Sequence, residues 1–261
     1  MRHRRRAASW AVALAPLLLM LGVLAGAGQA PYRHYLPLTS LSRESALATP
    51  NPLAPACANV EQDLSRSWLV NAGLDGPYLA GVPAGWSAFQ EGEVRFGEET
   101  GREKWGRASW RIEGSGAFRA GAWQLVIGTE PGRWYQAFYA TAQRVVGNGR
   151  VDGALPLLRE VGLDPSGGTR PEAPGVIWGR AAGGRADALA GRYGGWKTLG
   201  NGSAPLVSAR ATGSQMTVFL RVSGWPDVEQ GVAWVDSVFF VPACDPAFTR
   251  LSLSRGTILS P

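Results

Sequence analysis

The strongest constraint in this chain is a two-residue rhythm. Between Gln215 and Ser223 the residues Met216, Val218, Leu220 and Val222 make one unbroken apolar row, and Thr217, Phe219 and Arg221 make the row opposite. Successive side chains of a strand point to opposite faces, so the first row is predicted to enter a core and the second to face outward. Similar short runs recur at Trp105–Glu113, Gly121–Ile127, Arg133–Gln143, Leu155–Leu163, Gly175–Trp178, Pro205–Ala211 and Gly231–Val241, separated by turns rich in Gly and Pro. Only Arg185–Gly191 hints at a helical period, and it is too short to matter. An all-β sandwich or barrel follows.

The same alternation predicts an outer face. In the run from Trp134, the residues Trp134, Phe138 and Ala140 are assigned inward and Tyr135, Tyr139 and Thr141 outward. In the run through Leu158, Val161 and Leu163 point inward against Glu160 and Asp164. Three strands thus share a second face of aromatic, acidic and basic groups.

The chain begins with Arg2, Arg4, Arg5 and Arg6, continues through an apolar run from Trp10 to Leu24 and reaches the small residues Ala25, Gly26 and Ala27. That layout marks residues 1–27 as a secretory signal peptide, with an uncleaved signal anchor as the alternative. Four of the arginines behind the net charge of +6 lie there, which leaves +2 for the rest. No basic stripe for nucleic acid remains. Residues 28–59 form a Pro/Ser/Ala-rich linker, residues 60–245 the domain and residues 246–261 a tail. The expected location is outside the cytoplasmic membrane, secreted or at the cell surface, as a monomer that meets a membrane only through an uncleaved N-terminus.

Cys57 and Cys244 are the only cysteines. In an oxidising compartment they form a candidate disulfide, with two free thiols as the alternative. A bridge would bring the domain's ends within roughly 4.4–6.8 Å between α-carbons and contribute on the order of 4–5 kcal/mol by loop closure.

Composition removes most catalytic chemistry. The two histidines are His3 and His34, both ahead of the domain, so a Ser-His-Asp hydrolase, a Cys-His protease and a histidine zinc site within it are excluded. No phosphate-cradling or dinucleotide glycine loop occurs between a strand and a helix. Paired carboxylates remain, but Glu160 and Asp164 are four residues apart on one strand, about 13 Å, which is too long for a retaining glycosidase.

Several motifs in order resemble secreted carbohydrate-binding-module-like domains of the galactose-binding-type jelly roll. They are Asn71-Ala72-Gly73-Leu74-Asp75-Gly76 with Gly85-Trp86, Trp123-Gln124, Pro131-Gly132, the stretch GLDPSGGT from Gly162 to Thr169 with Pro171, Pro174 and Val176-Ile177-Trp178, and Trp234-Val235-Asp236-Ser237-Val238. The resemblance implies a jelly-roll β-sandwich of two antiparallel sheets that binds a polysaccharide or glycan without turning it over. Leu74 and Asp75 depart from the usual Phe and Glu of that pattern, in the region that supplies the family's Ca²⁺ site.

Sugar rings stack on indole and phenol rings and their hydroxyls bond to carboxylates and guanidinium groups. Tyr135, Tyr139, Asp164, Trp178 and Arg221 are therefore the candidate ligand residues, with Trp225 projecting from a Gly-Trp-Pro turn. The structural alternative is that these rings are core and that Arg221 pairs with Glu160 or Asp164 across strands. Asp75 and Asp236 are the candidate ligands of a structural Ca²⁺, the alternative for Asp236 being a cap on backbone donors. Two rival functions stand beside glycan binding: an adhesive surface protein that meets a protein or wall component, and a small glycoside hydrolase.

Overall fold

In the computed structural model, which describes residues 63–146, 157–181, 194–198 and 203–243, alternation becomes layering. Eleven strands run in chain order: β1 (Tyr78–Leu79), β2 (Val82–Pro83), β3 (Ser87–Glu99), β4 (Ser109–Ile127), β5 (Trp134–Val146), β6 (Leu157–Asp164), β7 (Ile177–Arg180), β8 (Gly194–Lys197), β9 (Leu206–Arg210), β10 (Gln215–Gly224) and β11 (Gln230–Pro242). β1 and β2 pair with each other, and the rest form one antiparallel network in the order β7-β6-β10-β4-β11-β5-β8, with β3 on β4 and β9 on β5. The domain is thus all-β, a jelly-roll sandwich. The signal segment, the linker and both Cys57 and Cys244 lie outside the described residues.

The network becomes two layers through β4. Its C-terminal part, Phe118–Ile127, pairs with β10, and its N-terminal part, Trp110–Gly114, pairs with β11. β3 follows it across both parts and shifts register between Glu91 and Glu93, where Gly92 has φ +84°. That β-bulge bends the hairpin from one layer into the other. Two expectations change here. The expected run Trp105–Glu113, from Ser109 onward, and Gly121–Ile127 are portions of one strand, because glycines that read as turn formers instead permit close packing. A Cβ on Gly121 would stand 1.8 Å from the Leu220 carbonyl oxygen. β3 was not expected at all, since its Glu-rich outer side resembles a loop; charges of this kind suit an edge strand.

Met216, Val218, Leu220 and Val222 are all fully buried, as their row predicts, and share one core with Val161 and Leu163 of β6 and Val235 and Phe240 of β11. At roughly 1.5–3 kcal/mol for each fully buried large apolar side chain, this core is the main term holding the layers together. Trp86 is also fully buried within it. The segment before it is pinned by Gln124, whose amide nitrogen donates to Val70 O at 3.0 Å and Gly85 O at 2.9 Å while its oxygen accepts from Val70 N at 2.7 Å. Asn71 adopts φ +50° and its side-chain amide donates to Ala84 O, so the Asn-Gly motif is a plug that seats Trp86.

Candidate functional site

β10 presents Thr217, Phe219 and Arg221 on its outer side, opposite Asp164, Gly162 and Glu160 of β6. β7 adds Trp178 opposite Gly162 and Arg180 opposite Glu160. Glu160 is fully buried and accepts from both arginines: Arg221 Nη2 lies 2.6 Å from its Oε2 and Arg180 Nε 2.9 Å from its Oε1. The Arg221 guanidinium carbon sits 3.5 Å from the Trp178 ring centroid, a cation–π stack. The indole lies against the bare α-carbon of Gly162, where a Cβ would meet its ring at 2.8 Å. Around it Phe89, Val176 and Phe219 are buried with Trp123 and Ala173 against them. The structure therefore gathers Trp178, Arg221 and Glu160, but as a mutually satisfied cluster; the cross-strand pairing of Arg221 with Glu160 is the arrangement present.

Asp164 serves the turn that follows β6. Its Oδ1 accepts from Ser166 N at 2.8 Å and Ser166 Oγ at 2.6 Å, an Asx turn that reverses the chain at Asp-Pro-Ser-Gly.

Tyr135 and Tyr139 are a correction. Both point inward and are fully buried. Tyr135 stacks on Phe240 with centroids 5.2 Å apart, and its hydroxyl accepts from Glu130 N at 2.9 Å. The Tyr139 hydroxyl crosses the core to donate to Glu160 O at 3.2 Å, and burial raises the pKa of both phenols. Alternation misassigned β5 because both of its faces are apolar and both are covered: Phe138 faces outward and stacks on Phe239 at 4.6 Å, sealed by Val241 and Leu64. Trp225 is 40 % exposed in the turn after β10, at the opposite end of that strand from the Asp164 turn.

Asp75 and Asp236 meet across the loop 104–108. Asp236 Oδ2 accepts from Lys104 N at 2.6 Å and Trp105 N at 3.1 Å, and Oδ1 accepts from Ser237 Oγ at 2.7 Å. Asp75 Oδ1 accepts from Arg107 N and from Ala108 N at 3.0 Å. A bulge with Ser237 at φ +52° turns Asp236 toward these amides, and burial pushes its pKa up to about 6. The partners of the two carboxylates are four backbone N–H donors and one hydroxyl, whereas Ca²⁺ needs six to eight oxygens. Among the described residues no group of three or more His, Cys, Asp or Glu is placed to hold a metal ion. The pair fits a loop latch and does not fit a calcium site.

A different concavity lies at the β3–β4 bend. It encloses about 650 Å³ and is walled by Gln90, Glu93, Arg95, Ser115, Glu229 and the Glu113–Gln230 pair. Glu113 is held by Arg111 and by the Gln230 amide. The side chains of Gln90, Glu93, Arg95, Ser115 and Glu229 make no hydrogen bond or ion pair among the described residues. Glu93, Arg95 and Glu229 are exposed. Beside it, sharing Gln90 and Val94 as a common wall, an apolar hollow of about 350 Å³ is lined by Val82, Phe89 and Phe96. Sequence reasoning missed this groove with β3; an isolated Gly92 between charged residues, the signature of a bulge, was the available signal.

No protein-family model and no curated protein matches the chain. Among solved structures, it is similar to the module TmCBM61 in complex with β-1,4-galactotriose, with a TM-score of 0.41 at 14 % identity over 68 % of this chain and 99 % of that one. The CBM22-1 xylan-binding domain from Paenibacillus barcinonensis Xyn10C gives a TM-score of 0.34 at 12 % identity over 66 % and 92 %. A cyclase from Fischerella sp. TAU gives 0.36 at 15 % identity over 68 % and 98 %. Carbohydrate-binding modules are thus among the structures this chain is similar to. Each shares too little with it for a ligand to be carried over.

Proposed function

We propose that this domain is a non-catalytic module that holds a saccharide chain outside the cytoplasm, and that the groove at the β3–β4 bend is where it does so. The supporting observation is the state of the groove's polar groups. Two carboxylates, a guanidinium, an amide and a hydroxyl stand around one concavity with their hydrogen-bonding capacity uncommitted, next to an apolar wall. Hydroxyls need such donors and acceptors, and pyranose C–H faces need such a wall. Its volume falls in the roughly 300–1,000 Å³ span of ligand sites. The domain holds no histidine, and export follows from the N-terminal signal layout.

Affinity electrophoresis in gels containing neutral polysaccharides tests the reading. Retardation of the domain is expected, with loss on the double substitution Glu93→Gln, Arg95→Gln; no retardation by any polysaccharide overturns it. An adhesive role is favoured by one observation: β3, thirteen residues long, has β4 as its only strand partner among the described residues, an edge open to another chain. A mass that rises with concentration in solution would support that second reading.

A further inference from the structure

We infer that the groove at the β3–β4 bend selects by charge: it accepts neutral and amino-sugar chains and rejects chains of uronic acids. This rests on the proposed function and names the substrate class of the same site. Three carboxylates line the groove, Glu93, Glu113 and Glu229, against Arg95. Glu113 is neutralised by Arg111, which lies on its own strand two residues away. The groups left to meet a ligand are two carboxylates and one guanidinium, an acidic excess.

Geometry makes that excess felt. Glu93 follows the bulge directly and Arg95 is its next neighbour on the same side of β3, while Glu229 reaches the groove from the turn before β11. A ligand in the groove therefore has Glu on two walls and a single guanidinium, Arg95, beside them. A neutral hydroxyl donates to either carboxylate without charge repulsion, and an ammonium gains from both. The adjoining hollow, where Val94 and Phe96 are partly exposed, takes the C–H face of a ring and is indifferent to charge. Recognition by shape and rejection by charge thus reside in neighbouring walls, a division in which repulsion supplies specificity.

The experiment compares matched hexasaccharides of glucose, mannose and galactose, each in neutral form and in the C6-oxidised uronate form, by titration calorimetry with the whole domain. The expected result is binding of at least one neutral hexamer with its uronate counterpart about tenfold weaker, the gap narrowing as salt is raised because the carboxylates are exposed. Glu93→Gln with Glu229→Gln should weaken the neutral form and bring the neutral-to-uronate affinity ratio close to one, while the urea midpoint stays unchanged. Equal or tighter binding of the uronate form overturns the inference and leaves the binding function intact. A gap that survives the double substitution overturns its assignment to these carboxylates. Failure of every neutral hexamer to bind overturns the binding function itself, and this inference with it.

Discussion

The outer cluster at Trp178 and the groove at the β3–β4 bend contain the same kinds of group, carboxylate and guanidinium beside aromatic rings, yet they stand in opposite states. In the cluster Glu160 is fully buried, bonded to Arg180 and Arg221, and Arg221 is stacked on Trp178. In the groove Glu93, Arg95 and Glu229 face water and hold no partner among the described residues. A buried polar group left unpaired costs free energy, so the fold has to satisfy Glu160 internally. An exposed one costs nothing to leave open, and remains able to bind. The difference teaches that residue type alone does not make a ligand site; accessibility and lack of internal commitment do.

Glu160→Gln probes the buried side of this contrast most severely. It should destabilise the domain by about 2 kcal/mol, less than the roughly 3–5 of a fully buried pair because Arg180 stays largely in water. Urea denaturation measures it, and the groove substitutions Glu93→Gln and Glu229→Gln should change the same midpoint by less than about 0.5 kcal/mol.

Asp236 should give a pH signature of similar size. Its folded pKa of about 6 stands above the ordinary 3.8, so the folded state holds this proton more tightly. The resulting stabilisation is complete below 3.8 and is lost as pH rises through about 6. The stability of the native domain relative to Asp236→Asn should therefore fall by about 2 kcal/mol between pH 4 and pH 7, read from urea curves at each pH.

Trp178→Ala separates the two regions directly. Removal of a half-buried indole together with its Arg221 stack should cost about 1–2 kcal/mol of stability and leave saccharide affinity at the groove unaltered. A loss of binding with stability intact would move the ligand site to the outer cluster. Smallest of all is the expected effect of calcium: since amides occupy the Asp75–Asp236 pair, millimolar Ca²⁺ should leave the melting temperature where it is without the ion.

Legibility followed burial contrast. β10 was readable because one of its faces is wholly apolar and the other carries Thr217 and Arg221. β5 was misread because Phe138 and Tyr139 are both buried, against different covers, and a strand covered on both sides has no polar row to betray its orientation. β3 was invisible because its edge position admits Glu at four places. Arg221 and Glu160 lie on the side that alternation assigned to them, but their commitment to each other depended on β6 and β7 taking registers that set Arg221 and Arg180 on either side of Glu160.

By itself the sequence determined the all-β class, the core row of β10 and the absence of histidine chemistry from the domain, since periodicity and composition are properties of the chain before it folds. Only the tertiary structure decided which polar groups are left over. Whether a carboxylate is a strut or a binding group depends on what the neighbouring strands bring within 3 Å of it, and that distance is set by strand register and layer packing between residues far apart in the chain.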